Sequence, residues 1–378
     1  MKTAIVHDWF VSYAGSERVV ESLTNVWKDA DVFVLFNLLN ENDQKIVVKN
    51  KIPHTSFLNK FKSIKKHHRK FLPLFPYAIE QFDLSDYDLI ISSSHAVAKG
   101  ALTNSNQLHI CYCHTPIRYA WDLMHQYLRE ANLTTGIKGV IAKSILHYIR
   151  VWDSATANRP DFYIANSNYI AKRIHKIYKR ESTVIYPPVD TDKFICESNK
   201  DSYYLTASRL VPYKRINLIA EAFTKMPDKK LLIIGDGPEE EKIKAVSGNN
   251  IEFLGYKSGE ALVNYMQKAK AFVFAAEEDF GIMIVEALSC GTPVIAFSKG
   301  GASETVTDEE NGILYPEQNA ESIIEAVKRF ELQMNKFDPH TISDSAKKFD
   351  RKIFEEKIKG FVDTKYNDFF EHNNLKQC

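Results

Sequence analysis

Short apolar runs alternate with amphipathic stretches along most of the chain, and this alternation predicts parallel strands connected by helices. In the first half, strands are expected at residues 3–7, 31–36, 89–93, 109–113 and 162–165. The clearest helices between them are predicted at residues 16–28 and 137–155. The pattern therefore predicts an α/β domain built on a doubly wound parallel sheet.

The second half repeats this alternation after Pro187 and Pro188, which can continue neither a helix nor a central strand. Strands are expected at 203–207, 230–234, 251–253, 271–274 and 293–296, and helices at 216–224, 238–246, 259–268, 281–289 and 320–330. We therefore predict two domains, residues 1–186 and 187–355, and a C-terminal helix at 356–378 that packs back on the first domain. Two such domains in tandem would face each other across a cleft lined by the carboxyl ends of their strands.

The composition is typical of a soluble globular protein, since 44% of the 378 residues are hydrophobic and 26% are charged. The five cysteines are scattered, and the first residues become polar too soon for a secretory signal. No apolar run is long enough to span a bilayer. We therefore expect a cytoplasmic protein, with peripheral attachment to the inner face of the plasma membrane left open.

The charge is unevenly distributed, although the whole chain carries a net charge of only +1. Residues 45–79 contain no Asp or Glu, and aromatic and aliphatic residues there are interleaved with nine cations: Lys45, Lys49, Lys51, Lys60, Lys62, Lys65, Lys66, Arg69 and Lys70. This segment suits an anionic membrane surface or a pyrophosphate-bearing acceptor. A solvated basic face explains it equally well. No nucleic acid partner is expected, because no nucleic-acid-binding module surrounds the segment.

The most informative stretch contains Glu278 and Glu286. One carboxylate follows a predicted strand, and the other lies on the helix behind it. Between them, the backbone N–H groups of Phe280, Gly281 and Ile282 would form a phosphate site at a helix N-terminus. Hydroxyl-binding carboxylates on either side of a diphosphate site suit a nucleotide-sugar. Acidic residues in a first helical turn are, however, common in α/β proteins of any function.

Arg209 and Lys214 follow the first strand of the second half, where they would face the same ligand. Arg209 could bind a diphosphate through several N–H donors arranged as a fork, and Lys214 could bind it as a point charge. Either residue alone would be an ordinary surface cation. Gly235 and Gly237 end the next strand, where glycine lets backbone approach a ligand. Because the third glycine of a dinucleotide fingerprint is missing, the pattern argues against a nicotinamide enzyme.

The first half contributes a glycine loop and a histidine at predicted strand ends. Gly15 precedes Ser16, an expected helix N-cap whose neighbouring amides could bind an anion. His114 follows a strand and precedes a proline turn, a position where ligands bind α/β sheets, although a lone histidine is as often structural. Cys111 and Cys113 have no second pair of ligands at a zinc spacing, so no metal is expected.

Together, these features resemble the retaining family-4 glycosyltransferases, which have the GT-B fold of two facing Rossmann-like domains. The resemblance covers nearly the whole chain. It rests on Arg209 with Lys214, Gly235-x-Gly237, the two glutamates Glu278 and Glu286, and the run at 287–296. The stretches at 92–100, 114–122 and 278–282 further resemble bacterial mannosyltransferases of O-antigen and capsule assembly. This resemblance implies transfer of mannose from GDP-mannose to a lipid-linked (polyprenyl-diphosphate) glycan acceptor, without a metal cofactor.

The resemblance also implies a catalytic set. Arg209 and Lys214 would bind the donor diphosphate and stabilise the departing nucleotide. Glu278 would hold hydroxyls of the transferred sugar, and Glu286 would hold the ribose hydroxyls. His114 would line the reactive face near the anomeric carbon. Retention without an enzymic nucleophile implies front-face transfer, in which the departing phosphate takes the proton of the acceptor hydroxyl.

The remaining donor-binding residues are glycines and backbone amides. The amides of Phe280, Gly281 and Ile282 would contact sugar and phosphate, Gly235 would line the donor site, and Gly15 would leave room for donor phosphate and acceptor. The first domain would then bind the acceptor and the second the nucleotide-sugar. The chain departs from many relatives at two positions, Ala14 and Arg215, where glycine is common.

Two alternatives stay open. A relative that transfers another sugar, such as glucose or N-acetylglucosamine from UDP, would carry the same residues, because contacts to the base are mostly backbone and aromatic. A catalytically silent nucleotide-sugar-binding partner in polysaccharide assembly would also bind the donor. The intact cation and glutamate sets favour an enzyme, since a silent relative would be free to lose them.

Overall fold

The computed structural model describes residues 1–375, which form two compact units. The first comprises Met1–Pro188 together with the chain from Phe354 onward, and the second comprises Val189–Ile353. The first unit ends at Pro188 rather than at residue 186, and Val189 belongs to the second unit because its backbone is bonded to Phe349 and Arg351 at 3.1 and 3.0 Å. Residues 376–378, the end of the predicted C-terminal helix, lie outside the described residues.

The first unit contains a seven-stranded parallel sheet with the order β3-β2-β1-β4-β5-β6-β7. Its strands are β1 (Thr3–His7), β2 (Asp31–Val34), β3 (His54–Thr55), β4 (Leu89–Ser94), β5 (Leu108–Cys113), β6 (Phe162–Ala165) and β7 (Thr183–Val184). Its helices are α1 (Gly15–Val26), α2 (Glu41–Val48), α3 (Ile64–His67), α4 (Phe75–Ile79), α5 (Met124–Glu130), α6 (Gly136–Ala155) and α7 (Asn168–Tyr178).

Successive strand residues point to opposite faces of this sheet and bury two separate cores. One core combines strand residues with α1 and with the C-terminal helix: Ile5, Val32, Ile91, Ile110, Val19, Leu23, Phe354, Ile358 and Val362. The other combines the alternate strand residues with α3 and α4: Ala4, Val6, Phe33, Ile90, Ile64, Phe75 and Ile79. The sheet is therefore covered on both faces, as a doubly wound sheet requires.

The second unit contains a six-stranded parallel sheet with the order β10-β9-β8-β11-β12-β13. Its strands are β8 (Tyr204–Ala207), β9 (Leu231–Ile234), β10 (Ile251–Gly255), β11 (Ala271–Phe274), β12 (Val294–Phe297) and β13 (Gly312–Tyr315). Its helices are α8 (Ile216–Thr224), α9 (Glu240–Ala245), α10 (Gly259–Lys268), α11 (Ile282–Ser289), α12 (Ala302–Thr305), α13 (Ala320–Leu332) and α14 (Pro339–Ala346).

In each sheet the first strand lies between the second and the fourth, which is the Rossmann order, so the predicted α/β class with two doubly wound sheets is confirmed. The last helix, α15 (Arg351–Leu375), contributes Phe354, Ile358 and Val362 to the core of the first unit. Within residues 1–375, no helix is both long and apolar enough to cross a membrane.

Candidate functional site

In the second unit, Lys214 and Glu278 meet at the carboxyl end of the sheet. They lie on the loops that follow β8 and β11, which are neighbouring parallel strands. Lys214 ends a single 3₁₀ turn, Pro212–Lys214, and its Nζ donates to Oε1 of Glu278. Both side chains are mostly buried, with 16% and 18% of their surface exposed. The pair places one cation and one carboxylate where doubly wound sheets bind ligands.

Arg209 lies on the same loop as Lys214, but its side chain is exposed. Within residues 1–375, the Arg209 guanidinium makes neither an ion pair nor a hydrogen bond. Its five N–H donors are therefore available to an anionic ligand, and a guanidinium suits the paired oxygens of a phosphate. The backbone of Arg215, which follows Lys214, is left-handed with φ 56°. Glycine would adopt this conformation without the steric cost that arginine bears.

The loop that carries Arg209 is held by the two glycines after β9. A Cβ at Gly235, where φ is 134°, would lie 1.8 Å from the carbonyl oxygen of Ser208, and one at Gly237 would lie 2.3 Å from that of Leu210. The N–H of Leu210 donates to the carbonyl of Asp236 at 2.7 Å. These glycines therefore allow close approach of protein backbone that positions Arg209. The ligand contact expected of Gly235 stays a prediction.

The Glu278–Phe280 loop is held in a similar way by a glycine pair after β12. The N–H of Gly301 donates to the carbonyl of Glu278 at 2.8 Å. A Cβ at Gly300 would lie 2.3 Å from that carbonyl oxygen, and one at Gly301 would lie 2.2 Å from the Cα of Phe280. Sequence reasoning missed both residues. The available signal was a glycine pair just after a predicted strand.

The other residues predicted around Glu278 lie at the start of α11. Gly281 is the N-cap, with φ 84°, and Ile282 is the first helical residue. The Phe280 side chain is buried against Phe349, with ring centroids 5.4 Å apart. Glu286 lies in the second turn of α11 and is 2% exposed. Gly281 thus turns the chain into a helix N-terminus next to Glu278, which is the anion-site geometry predicted from the sequence.

In the first unit, the buried carboxylate of Asp8 follows β1 and binds the turn that follows β4. It accepts the backbone N–H groups of four consecutive residues, His95, Ala96, Val97 and Ala98, at 2.5–3.0 Å. The Nδ1 of His95 lies 3.0 Å from the same carboxylate. Burial opposes ionisation, but His95 and these hydrogen bonds hold the pKa of Asp8 well below its usual range. In turn, the Asp8 carboxylate outweighs burial and raises the pKa of His95.

His114 is connected to this cluster through Ser93. The Nε2 of His114 lies 2.8 Å from Oγ of Ser93, and the Nδ1 of His7 lies 3.0 Å from the Ser93 carbonyl. A carbonyl only accepts, so Nδ1 of His7 carries a proton and donates it. The Ser93 hydroxyl can then donate to Nε2 of His114, and in that arrangement a neutral His114 carries its proton on Nδ1.

Both of these histidines are held neutral. Burial, followed by the charge on His95, lowers the pKa of His7 to about 4. The same two causes, in the same order, lower the pKa of His114 well below its ordinary value. The rings of His7, His95 and His114 lie 5.7–6.5 Å apart. Within residues 1–375, however, no group of His, Cys, Asp or Glu side chains is arranged to hold a metal ion. His114 can therefore donate a hydrogen bond without bringing a charge.

The expected N-cap of α1 is wrong. The helix begins at Gly15, and the N-cap is Ala14 rather than Ser16. Glu17 accounts for the difference, because its carboxylate accepts the N–H of Ala14 at 3.2 Å and the hydroxyl of Ser16 at 2.9 Å. Burial raises the pKa of Glu17. The amide of Ala14 is thus used inside the protein, and the role of Gly15 stays a prediction.

Residues of two stretches that resemble mannosyltransferases converge on a buried structural pair. Lys99 and Asp153 are 1% and 0% exposed and lie 3.0 Å apart. The indole N–H of Trp121 donates to Asp153 at 2.7 Å, and the Lys99 ammonium also donates to Thr156. These residues fix the segment behind His95, so part of that sequence similarity reflects folding.

Comparison with known proteins identifies the family. A family model described as Glycosyl transferases group 1 matches residues 189–349, and one described as Glycosyltransferase Family 4 matches residues 13–193. The chain belongs to glycosyltransferase family 4. The resemblance noted in the sequence is thereby confirmed.

Individual relatives agree with this assignment. An uncharacterized glycosyltransferase of Methanocaldococcus jannaschii is 27% identical over 94% of this chain and 95% of its own. A GDP-mannose-dependent monoacylated alpha-(1-6)-phosphatidylinositol monomannoside mannosyltransferase of Corynebacterium glutamicum is 36% identical over 50% of this chain and 51% of its own.

Solved structures show the same fold. Sucrose-phosphate synthase from Thermosynechococcus elongatus matches 97% of this chain and 100% of its own with a TM-score of 0.70 at 17% identity. HepE of Anabaena, solved in complex with UDP, matches 96% of this chain and 100% of its own with a TM-score of 0.69 at 18% identity. The chain is therefore a glycosyltransferase with the GT-B fold.

Proposed function

We propose that this glycosyltransferase is a retaining enzyme that moves mannose from GDP-mannose to a lipid-linked glycan during assembly of a bacterial surface polysaccharide. The observation that carries the proposal is the contact between Lys214 and Glu278 beside the exposed Arg209. Two cations suit a sugar-nucleotide diphosphate, and a neighbouring carboxylate suits the hydroxyls of the sugar. The resemblance to family 4 implies that no metal cofactor takes part, and the proposal includes none.

Each side chain has a defined part in the proposed transfer. The acceptor hydroxyl attacks the anomeric carbon, the bond from that carbon to the phosphate oxygen breaks, and the phosphate takes the acceptor proton. Arg209 and Lys214 stabilise the negative charge that develops on the phosphate, a contribution of about 3 kcal/mol if each resembles an oxyanion donor. His114, neutral with its proton on Nδ1, donates to a sugar oxygen, and Glu278 orients the sugar ring.

The choice of mannose and GDP is supported by the Corynebacterium glutamicum mannosyltransferase, which is 36% identical over 50% of this chain. HepE was also solved with UDP-glucose, but its 19% identity supports a shared fold rather than a shared donor. UDP-sugars therefore enter the test as competing donors.

The donor is tested by thermal shift and by donor hydrolysis with GDP-mannose, UDP-glucose, UDP-N-acetylglucosamine and NADH. The wild type is compared with Glu286→Gln, which keeps the shape of the buried side chain but removes its charge, and with Glu325→Gln on the exposed face of α13. We expect stabilisation and hydrolysis with GDP-mannose alone, lost in the first variant and kept in the second. A response to a UDP-sugar alone would show that the donor is a UDP-sugar rather than GDP-mannose. Stabilisation without hydrolysis or transfer would favour a catalytically silent nucleotide-sugar-binding protein.

A lipid-linked acceptor would place this enzyme at the cytoplasmic face of a membrane. The basic segment (residues 45–79) supports this, because seven of its cations are exposed and form no ion pair within residues 1–375: Lys45, Lys60, Lys62, Lys65, Lys66, Arg69 and Lys70. Cations near an anionic bilayer each contribute about 1 kcal/mol to association. Peripheral attachment through this segment is therefore part of the proposal.

A further inference from the structure

The 20-residue helix α6 is apolar on two opposite faces, of which only one is buried. Leu146 and Ile149 point into the first unit. Five large apolar side chains are exposed instead: Ile137 (81%), Val140 (64%), Ile141 (54%), Tyr148 (46%) and Val151 (57%). At the helical repeat they fall within an arc of about 100°, opposite the buried face. We call these five residues the α6 face. A soluble helix normally turns polar residues outward at such positions.

The surroundings of the α6 face are basic. Residues 131–152 contain no Asp or Glu, and Lys138 and Lys143 are exposed without a carboxylate partner in the described part of the chain. α6 also packs directly against the basic segment, because Leu72 shares a small core with Ile145 and Ile149. An exposed apolar strip with lysines on the same helix and a cation-rich segment packed against that helix is typical of a membrane interface.

We propose that the α6 face inserts into the surface of an anionic lipid bilayer while the cations of the basic segment contact the lipid phosphates. The five side chains would occupy the boundary between headgroups and acyl chains, where the amphipathic ring of Tyr148 is favoured. The helix would lie along the membrane rather than cross it, in agreement with its hydropathy. This inference rests on the proposed function, because binding to a membrane surface would bring the enzyme to its lipid-linked acceptor.

Charge favours a bilayer over a second copy of this chain. In a two-fold contact between two α6 faces, the same residues of both copies would meet. Lys138 and Lys143 of one copy would then lie near those of the other, and neither residues 131–152 nor the basic segment supplies a carboxylate to separate them. Like charges brought together in this way oppose association. Anionic headgroups would neutralise the same lysines.

The test is vesicle sedimentation without any nucleotide-sugar, using phosphatidylcholine vesicles with and without phosphatidylglycerol. The α6 variant is Ile137→Gln with Ile141→Gln, and its matched control is Ile195→Gln with Leu332→Gln, which removes two comparably exposed apolar side chains from the second unit. A charge variant replaces Lys65, Lys66, Arg69 and Lys70 by Gln. All substituted residues are exposed, so the fold is expected to be preserved in each case.

We expect the wild type to bind vesicles that contain phosphatidylglycerol. The α6 variant should bind at least about tenfold more weakly, because two side chains no longer enter the apolar boundary. The control should bind like the wild type, and the charge variant should lose both affinity and salt dependence. Wild-type affinity of the α6 variant would overturn the proposal, as would a wild-type dimer that this variant dissociates. GDP-mannose binding, measured without vesicles, should be the same in all of these variants, so failure of the donor proposal would be seen separately.

Discussion

The carboxyl ends of the two sheets hold their charges in opposite ways. In the first unit, the Asp8 carboxylate is fully buried and bonded to four backbone N–H groups and to His95. In the second unit, Arg209 is exposed, and Lys214 and Glu278 remain partly open to solvent. The charge of Asp8 is neutralised by contacts within the fold. The charges of Arg209, Lys214 and Glu278 can instead interact with a ligand.

The two ends also differ in what holds their loops. Side-chain hydrogen bonds made by Ser93 and accepted by the Asp8 carboxylate fix the loops of the first. Close backbone packing at glycines fixes the second, where Gly235 and Gly301 leave no room for a Cβ. Because backbone contacts hold these loops, their charged side chains are not needed to fix the chain. The comparison is consistent with our proposal that charge supports stability in the first unit and donor binding in the second.

The largest effect is expected when the buried charge of the first unit is removed. Asp8→Asn should lower the free energy of unfolding by about 3–5 kcal/mol, because it breaks a buried pair and turns an amide N–H₂ toward backbone donors. The pKa of Asp8 is held below its usual value, so its contribution is present above that value and is lost as the pH falls through the lowered pKa. Urea unfolding at neutral pH measures the effect.

The exposed Asp83 provides the control for this substitution. Its carboxylate caps a turn at Ser85, and Asp83→Asn should have little effect on unfolding. Equal losses in the two variants would mean that Asp8 is no more than a turn cap. The contrast between the two units would then lose its basis.

Removing the cation of the second unit should change activity more than stability. Lys214→Ala should lower turnover by about 10²–10³-fold, as removal of one oxyanion donor does. It should cost less stability than Asp8→Asn, because the Lys214–Glu278 pair is less completely buried than Asp8. Steady-state kinetics and thermal unfolding measure the two quantities. Lys225→Ala, which also removes the lysine of an ion pair, is the control and should leave turnover unchanged. Substantial residual turnover in Lys214→Ala would remove this residue from the proposed mechanism.

The sequence was sufficient for elements whose signal is local. The predicted strands at 3–7 and 271–274 and the helices at 216–224 and 259–268 have the observed bounds, because apolar periodicity and flanking turn residues mark both ends. β13 was missed, since it is four residues long and begins with a glycine after an acidic turn. At Gly312 a Cβ would lie 2.1 Å from the Val294 carbonyl, so this glycine is required by strand packing rather than by a turn.

The candidate-site residues also divide into those with a local sequence signal and those without one. Arg209, Lys214 and Glu278 could be placed at the end of a sheet because each lies on the loop after a recognisable strand. The partnership of Asp8 with the turn after β4 could not, because it depends on β1 and β4 being neighbours although they are more than 80 residues apart in the chain. Strand order is a property of the whole fold and leaves no mark near either residue.

The smallest expected effect concerns the proton of His114. Ser93→Ala removes the hydroxyl that contacts Nε2 and that we expect to donate to it, so neutral His114 should populate both tautomers. The ¹⁵N shifts of the ring should report this mixture, and turnover should fall about tenfold, in line with the loss of one hydrogen bond. Ser92→Ala is a matched control, because Ser92 lies on the same strand and its buried hydroxyl contacts Nε2 of His109 at 2.8 Å. Ser92→Ala should change the ¹⁵N shifts of the His109 ring and leave turnover unchanged. If both variants lower turnover equally, the serines support only the strand, and the first sheet end would contribute folding but no oriented donor to the reaction.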